Sequence, residues 1–456
     1  MAIWKIIKRI FFNTYAKGFF FSYLFMILIG AILLSLPISV RSEASLNWVD
    51  ALFTAASALS VTGLSTIVVG ETFTVFGLVI LLLLIQFGGM GLTMMVALFW
   101  LIARKKIGFR ERSMIMTDQN QFSRRGMVRF VRNVLIMVFI IEVVGFLIIS
   151  HYLFFRGYFA YGEALFQGLF LAISLTANAG FDIAPNADSF QMFSSDILMQ
   201  IFGIILMFLG SVGYWVLAEF KEWLSALWHK EKYRFSYFVK LIFKLHVFFV
   251  LFGAILIGVF ESSQFLSDKG PVEAIFYTLF MSITTRNAGF STMDVNDFMP
   301  HTRMILLALM FIGASPNSFG GGIRTTSIVL VILSIRAFAL GRFEVVINRK
   351  RIKDETVYRA FVALSAGLLI VFTGSILLSV IESFPLEAVI FEVTSAFGTT
   401  GLSMGITSQL HTLSKLILVV IMFIGRLGIL ALVMMFKPDV VLKARHKYLE
   451  VDIIVG

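Results

Sequence analysis

DALFTAASALSVTGL, residues 50–64, is the first of four related stretches that decide the fold of this chain. The others are EALFQGLFLAISLTANAGF at 163–181, EAIFYTLFMSITTRNAGF at 273–290 and EAVIFEVTSAFGTTGL at 387–402. Each begins with an acid, continues as a short apolar helix and closes on a glycine followed by a large apolar residue. The closing glycines lie 109 to 117 residues apart, a period that indicates one structural unit copied four times.

The composition is that of a membrane protein. Of 456 residues, 59% are hydrophobic and 14% are charged, a balance that a soluble domain of this size does not need. Cysteine is absent, which excludes disulfides and thiolate metal sites. Apolar runs of about 20 residues, enough to cross a bilayer, recur throughout. We predict eight spans, at 19–38, 73–103, 131–153, 197–217, 241–260, 304–313 joined to 328–340, 361–381 and 413–436.

Positive charge marks alternate ends of these spans. Thirty of the 38 Lys and Arg residues fall in five segments, at 1–18, 104–132, 221–244, 336–359 and 437–447, and acids occupy the intervening loops. The positive-inside rule then places both termini and the basic loops in the cytoplasm. The net charge of +11 therefore indicates topology, and no nucleic-acid partner is expected. Docking of an acidic partner on a basic segment is the alternative interpretation.

Each glycine-ending stretch is too short to span the bilayer and lies on the outer, acid-bearing side. We predict an all-α polytopic membrane fold of four helix–re-entrant loop–helix units, at 1–109, 110–229, 230–349 and 350–456. Non-helical backbone at membrane depth persists only where protein buries it or water lines it. Four such loops in one chain predict a lined central pathway.

The four loops carry hydroxyls, amides and small side chains but no carboxylate. A loop ending in glycine can turn successive carbonyls toward an axis, because glycine accepts positive φ. Rings of carbonyls replace the hydration shell of a monovalent cation, whereas a divalent-ion site favours carboxylates. The predicted filter residues are Ser60, Val61, Thr62, Gly63, Ala177, Asn178, Ala179, Gly180, Arg286, Asn287, Ala288, Gly289, Gly398, Thr399, Thr400 and Gly401.

Six motifs carry a family resemblance: SALSVTGL (57–64), ANAGF (177–181), TTRNAGF (284–290), SAFGTTGL (395–402), FIGRLG (423–428) and GASPNSFGGGIRTTS (313–327). Through them the chain resembles the Ktr/Trk/HKT superfamily of potassium transporters, specifically the membrane subunit of the bacterial Ktr system. The resemblance implies eight transmembrane helices in four M1–P-loop–M2 repeats around a pseudo-four-fold pore. In plant relatives, serine at the first-loop glycine goes with sodium transport, so glycine at all four positions implies K⁺ at the filter loops.

The resemblance also implies partners that this chain does not contain. The family suggests a homodimer on a cytosolic regulatory ring of the KtrA/KtrC type, whose RCK domains would bind the nucleotide. It implies a multi-pass protein of the plasma membrane, surrounded by membrane lipids. No cofactor is expected in this chain beyond K⁺ as substrate, and activation by Na⁺ stays open.

Residues 313–327 interrupt the second span of the third unit. Between Arg303 and Arg336 only Arg324 is charged, and a simple turn in the middle would leave about ten apolar residues on each side, too few to cross. We therefore predict a broken helix, which the resemblance identifies as an intramembrane gate; an ordinary cytoplasmic turn is the alternative. The predicted gate residues are Ser315, Asn317, Ser318, Gly320, Gly321, Gly322 and Arg426.

Charges within apolar segments need partners or water. Arg426 either pairs with a buried acid such as Glu392 or places a positive charge beside the pathway. Arg286, in the third loop, is predicted to turn away and tether the filter to a pore helix. Glu142 is either part of a proton relay or one end of an inter-helix hydrogen bond.

Acids open the four short helices. They are predicted to stabilise the helix N-termini through the helix dipole; a ring that concentrates cations at the outer mouth is a second role, compatible with the first. They are Asp50, Glu163, Glu273 and Glu387.

Catalytic motifs are missing from the sequence, including a GxxxxGK[ST] phosphate loop and HExxH. We predict a transporter rather than an enzyme, driven by the ion gradient and the membrane potential. The alternative is an alternating-access secondary transporter that couples a solute to Na⁺ or H⁺; such proteins commonly use two inverted repeats.

Overall fold

The structure is a computed structural model that describes residues 15–103, 126–184, 189–342, 344–347 and 349–435. These residues are mainly helical, as predicted. One antiparallel hairpin, β1 (Val346–Ile347) with β2 (Lys350–Arg351), follows the third quarter of the chain. The parts of the predicted basic segments at 1–14, 104–125 and 437–447 lie outside the described residues.

The helices follow the same order in each quarter of the chain. A long apolar helix comes first: α1 (Tyr15–Leu34), α6 (Met127–Phe155), α10 (Tyr237–Glu261) or α14 (Asp354–Ile381). A shorter helix follows: α2 (Trp48–Ser60), α7 (Tyr161–Ala177), α11 (Pro271–Thr284) or α15 (Leu386–Gly398). In the first quarter a single helical turn, α3 (Val69–Thr72), follows α2 and precedes α4.

A helix in two parts closes each quarter. The pairs are α4 (Val75–Met90) with α5 (Leu92–Ile102), α8 (Ile197–Ser211) with α9 (Tyr214–Trp228), α12 (Pro300–Phe311) with α13 (Thr325–Ala339), and α16 (Thr412–Leu427) with α17 (Ile429–Met435). The sequence predicted a break only in the third pair. In the structure α4 and α5 meet at 102°, and α8 and α9 at 104°.

Glycines make the three unpredicted breaks. Gly91, Gly213 and Gly428 have φ of 84°, 105° and 83°. These values are in the left-handed region, which residues other than glycine avoid. In the third pair the connecting loop, residues 312–324, takes the place of this single glycine. The breaks escaped the sequence analysis because glycine within an apolar run does not by itself end a helix.

Length and composition identify the membrane-crossing helices among the described residues. Three single helices, α6, α10 and α14, are long and apolar enough, and the two bent pairs raise the number to five. Of the eight predicted spans, the remaining three fall on shorter segments: the described apolar part of α1, and the pairs α12/α13 and α16/α17. The molecule therefore has several apolar spanning helices, and the number eight stays a prediction.

The short helices are the most buried part of the molecule, and their packing closes on itself. Each packs against the long helix of its own quarter and against the two-part helix of the preceding quarter: α7 on α4, α11 on α8, α15 on α12, and α2 on α16. The last contact joins the end of the chain to its beginning. Side chains on all four, including Phe53, Phe170, Phe280 and Phe391, are buried.

Candidate ion pathway

The four glycine-ending loops share one backbone conformation. In each loop the residue two positions before the glycine has positive φ: Val61 (57°), Asn178 (57°), Asn287 (75°) and Thr399 (52°). The glycines that follow are also left-handed, at 93°, 67°, 77° and 94°. Two such residues with one between them turn the chain sharply out of the short helix. The turn requires a left-handed residue at the first of these positions. Val61 and Thr399 therefore adopt this conformation, although it costs a residue with a side chain about 1–2 kcal/mol.

The four glycines, here called the glycine ring (Gly63, Gly180, Gly289 and Gly401), meet at one point. A Cβ atom built on Gly63 would lie 2.6 Å from the carbonyl oxygen of Ala179, and one on Gly180 would lie 3.1 Å from that of Ala288. The contacts continue in the same sense, from Gly289 to the Thr400 carbonyl and from Gly401 to the Thr62 carbonyl. The ring is thus closed, and each glycine is adjacent to a carbonyl of the next loop.

Hydroxyl groups inside the short helices hold these loops in place. The Ser57 and Ser395 hydroxyls accept from the backbone N–H of Gly63 (3.1 Å) and Gly401 (3.0 Å). In the second loop Ser174 donates to the Phe181 carbonyl at 2.7 Å. These serine hydroxyls therefore satisfy backbone groups of three of the four loops and fix the loops to their short helices.

A cavity of about 410 Å³, here called the outer cavity because it lies on the side predicted to face outward, borders the glycine ring, and all four glycines line it. Its wall also carries Asp182 and Asp294 and several hydroxyls. The Asp182 carboxylate accepts from the Ala184 N–H at 2.6 Å, while its other oxygen is buried and has no hydrogen-bond partner in the described part of the chain. This burial raises the pKa of Asp182 to about 7.

Arg286 is fully buried and turns away from the axis. Its guanidinium donates to the Leu309 carbonyl at 2.7 Å and to the Gly313 carbonyl at 3.5 Å, and it lies over the Phe249 ring at 5.5 Å. The tether therefore runs to the end of α12 and the start of the connecting loop. The sequence analysis named a pore helix as the partner, and that detail was wrong.

The connecting loop lies directly beneath the filter loops. The backbone N–H of Gly321 donates to the Thr399 hydroxyl at 2.8 Å, and a Cβ atom on Gly320 would lie 2.6 Å from the Asn287 side chain. The Asn287 amide in turn donates to the Gly398 carbonyl. Glycines 320 and 321 are thus the points at which the connecting loop and the filter loops are closest.

Arg426 fastens the connecting loop to the break between α4 and α5. Its guanidinium donates to the backbone carbonyls of Phe319, Gly88 and Gly89, and its Nε lies 3.3 Å from the Tyr23 hydroxyl. Glu392, the acid suggested as its partner, accepts instead from Ser403 and Thr407. Arg426 thus joins α16 to the connecting loop and to the end of α4, and its place beside an ion pathway stays a prediction.

Two residues that the sequence analysis did not single out hold the other side of the connecting loop. Tyr214 donates its backbone N–H to the Asn317 carbonyl at 2.6 Å, and its ring packs at 5.2 Å on that of Phe319. His246 is fully buried, with ring nitrogens 3.2 Å from the Ser211 hydroxyl and 3.3 Å from the Ser315 hydroxyl. Within the loop, Ser318 donates to the Ser315 carbonyl and Gly322 has a φ of 68°.

A repeated pattern, apolar–Gly–x–x–Gly, could have located these contacts. It reads FGGMG at 87–91, LGSVG at 209–213 and IGRLG at 424–428. In all three, a Cβ atom on the first glycine would press on the last-turn carbonyl of a short helix, that of Leu59, Thr176 or Phe397. Comparing the four units with each other would therefore have placed Arg426 and Tyr214 at the same level as the connecting loop.

Most acids that open the short helices already have partners. Lys415 lies 2.7 Å from Asp50, and Arg303 lies 2.9 Å from Glu387, each base coming from the preceding two-part helix. Lys269 approaches Glu273 at 3.7 Å, whereas no ion pair of Glu163 occurs in the described residues. Two of the four acids thus join neighbouring quarters of the chain, which weakens the idea of a free acidic ring at the mouth.

Glu142 forms the inter-helix hydrogen bond that was one of its two predicted roles. Its carboxylate accepts from the Gln86 amide at 2.7 Å, joining α6 to α4. No cluster of three or more His, Asp or Glu side chains suited to a metal ion occurs in the described ranges.

Comparison with known proteins identifies the family of this chain. The family model of the TrkH cation transport proteins matches residues 23–441. The chain is 38% identical over 434 residues to Ktr system potassium uptake protein D of Bacillus subtilis (strain 168), and 35% identical over 437 residues to Ktr system potassium uptake protein B of the same organism. Each alignment covers 95% of both proteins.

The fold is similar to that of a solved transporter. The crystal structure of the potassium transporter TrkH from Vibrio parahaemolyticus matches with a TM-score of 0.73 and covers 93% of this chain and 85% of that one. At 18% identity the match concerns the fold alone. The full-length family match and the apolar spanning helices together establish that this chain is a membrane protein belonging to the TrkH family of cation transport proteins.

Proposed function

We propose that this protein takes up potassium ions through a channel-like filter formed by its four glycine-ending loops. The observation that carries the proposal is the closed glycine ring, in which each glycine adjoins a carbonyl of the next loop beneath the outer cavity. Backbone carbonyls replace the water around a monovalent cation. Both Bacillus subtilis relatives are named as potassium uptake proteins, which agrees with the same substrate here.

The proposed architecture is four M1–P-loop–M2 repeats around a pseudo-four-fold axis, with boundaries at 109/110, 229/230 and 349/350. It is supported by the cyclic packing of the short helices on the preceding two-part helix, and by the shared positive φ at two positions in each loop. One chain would then supply all four sides of the pathway, and the loops are free to differ in sequence around it.

The connecting loop is the proposed gate. It lies under the filter loops and contacts them through the Gly321 N–H. Its glycines 320–322 carry no side chains that would hinder movement, and Arg426 bonds the loop to the carbonyl of Gly88 on α4. Opening requires that this hydrogen-bonded arrangement give way, and Arg426 adds electrostatic opposition to a passing cation until it moves. The membrane potential supplies about 2.3 kcal/mol per charge per 100 mV for the inward movement.

Regulation and assembly follow the family resemblance. We propose a homodimer in the plasma membrane, with both termini in the cytoplasm and a cytosolic nucleotide-binding ring beneath it. The name "Ktr system" of the relatives fits a protein that works with other components. A ring that binds the open and closed states unequally would shift the population of the gate.

Uptake of rubidium, a potassium analogue, in a bacterium that lacks its own potassium uptake systems tests the proposal. Cells producing this protein should accumulate rubidium and grow at low potassium, and excess unlabelled K⁺ should compete with rubidium far better than Na⁺. Repeating the uptake with and without Na⁺ also determines whether Na⁺ activates. Properly inserted protein that restores neither uptake nor growth would refute the proposal.

A further inference from the structure

Helix α9 carries an apolar stripe that no described residue covers. Phe220, Leu224 and Leu227 are 37%, 41% and 61% exposed, and Trp228 at the helix end is 85% exposed. At 100° per residue the first three lie within an arc of about 60°. An apolar stripe on one side of a helix indicates that this side contacts an apolar environment.

The opposite face of α9 is the one that packs on the protein. Trp215 lies against the Phe130 ring at 4.5 Å, and Ala218 and Ala226 on the same face are buried. Glu222 is bonded to Arg129 at 2.8 Å. Because α6 holds this face, the stripe points away from the body of the molecule.

The depth of α9 in the bilayer follows from helix α8. Asp196 is the N-cap residue of α8, and its carboxylate accepts a hydrogen bond from the Tyr152 hydroxyl at 2.6 Å. This polar pair places the start of α8 at the outer boundary of the membrane. The 15 residues of α8 advance about 22 Å at 1.5 Å per residue, which leaves about 8 Å of a hydrocarbon core of about 30 Å. The bend of 104° then turns α9 nearly parallel to the membrane, at the depth where interfacial amphipathic helices lie.

The side chains around the stripe match that position. Trp223 and Trp228 are residues of the kind enriched at membrane–water boundaries, and Lys221 borders the stripe. Lys230, Lys232 and Arg234 follow the end of the helix on the side with the basic loops. Apolar side chains at the acyl boundary with lysines at headgroup level favour phospholipids with anionic headgroups.

We propose that α9 is an interfacial helix that binds the cytoplasmic leaflet, with Phe220, Leu224 and Leu227 among the acyl chains and the lysines at anionic headgroups. The helix also reaches the connecting loop, because its first residue, Tyr214, is bonded to the Asn317 carbonyl and, through its hydroxyl at 2.7 Å, to the Gly89 carbonyl. Lipid that moves α9 therefore acts on the loop. This second step rests on the proposed gate, whereas the lipid surface itself does not.

Site-directed spin labelling tests the surface. The chain contains no cysteine, so Leu224→Cys and Leu227→Cys can be labelled singly in the full chain, in vesicles of phosphatidylethanolamine and phosphatidylglycerol. Ser225→Cys is the matched control, since Ser225 is exposed on another face of the same helix. Labels at 224 and 227 should be accessible to oxygen and shielded from a water-soluble nickel complex, and the label at 225 should show the reverse.

Two results would overturn the surface. Nickel access at 224 and 227 would place the stripe in the cytosol. Shielding from both oxygen and nickel would mean that protein, such as a second copy of the chain, covers it.

Flux measurements test the link to the loop. Potential-driven rubidium uptake is compared in vesicles of phosphatidylcholine alone and with roughly a third phosphatidylglycerol, for the unaltered protein and for the Leu224→Ser/Leu227→Ser variant. We expect the lipid to change the flux of the unaltered protein at least about fivefold, the lower end of typical coupling between sites, and the variant to lose most of that response. Equal, measurable flux in both lipids would refute the link. If the unaltered protein shows no flux in both lipids, the result counts instead against the proposed function.

Discussion

Gly63→Ser should lower the preference for K⁺ over Na⁺. A Cβ atom at position 63 would lie 2.6 Å from the Ala179 carbonyl oxygen and 2.7 Å from the Gly180 Cα. The φ of 93° at Gly63 adds strain, because left-handed backbone costs a residue with a side chain about 1–2 kcal/mol. The added side chain therefore displaces the Ala179 carbonyl, which is one of the proposed ion-binding groups of the ring.

The structure shows how far the substitution disturbs the ring. Ordinary contact begins near 3.4 Å, so the two loops must separate by the difference, roughly 0.8 Å, at one of the four sides. Potassium and sodium differ in radius by less than this, and the new hydroxyl offers the smaller ion a ligand. Losing about 1.4 kcal/mol of relative stabilisation corresponds to tenfold in relative binding. We therefore expect the K⁺/Na⁺ selectivity ratio to fall about tenfold.

The assay is potential-driven rubidium flux into proteoliposomes, with competing K⁺ or Na⁺ titrated from outside. Gly162→Ser is the matched control, because Gly162 lies in the first turn of the short helix α7, where a Cβ atom has no neighbour within 4 Å. The control should retain the selectivity of the unaltered protein. Unchanged selectivity in a correctly inserted Gly63→Ser protein would refute the idea that this ring sets the ion preference.

Four further outcomes are expected. Deleting residues 320–322 should raise flux and leave selectivity unchanged in the same assay, because it shortens the loop and spares the filter; abolished transport by well-folded protein would contradict this. Arg426→Ala should raise flux several-fold, since it removes both the hydrogen bonds to the loop and the positive charge; a slower, equally selective protein would count against it. Rubidium affinity should weaken as the external pH falls below about 7 and Asp182 loses its charge, and Asp182→Asn should remove that dependence, which a pH series of uptake titrations measures. Charge reversal across 349–351 should reduce nucleotide-dependent activation while basal selectivity persists; uptake in the native host that ignores nucleotide would rule this out.

The helical class and the site of the loops could be predicted because both depend on local patterns. Apolar runs, acids at helix starts and glycines at fixed places specify the short helices and their ends without knowledge of the tertiary structure. Gly63 is one example of a glycine whose place in the sequence indicates the end of a loop. The structure shows the reason, because only glycine fits a φ of 93° with the Ala179 carbonyl so close.

The helix breaks and the fastening of the loop could not be predicted in the same way. Gly91, Gly213 and Gly428 stand in apolar runs that read as continuous spans. The close contacts with the short helices are made by the glycines three positions earlier, Gly88, Gly210 and Gly425, and these contacts depend on the tertiary structure. Arg286 and His246 find their partners on elements distant in sequence, so their roles depend on packing.

Rubidium flux through purified, unaltered protein in proteoliposomes tests the central claim most directly. With a K⁺-free interior and an inside-negative potential, the account predicts rubidium entry that grows with the potential, that external K⁺ suppresses at low concentration, and that Na⁺ suppresses far less. Flux that ignores the potential, or that Na⁺ suppresses as well as K⁺ does, would contradict a potassium-selective filter at the glycine ring.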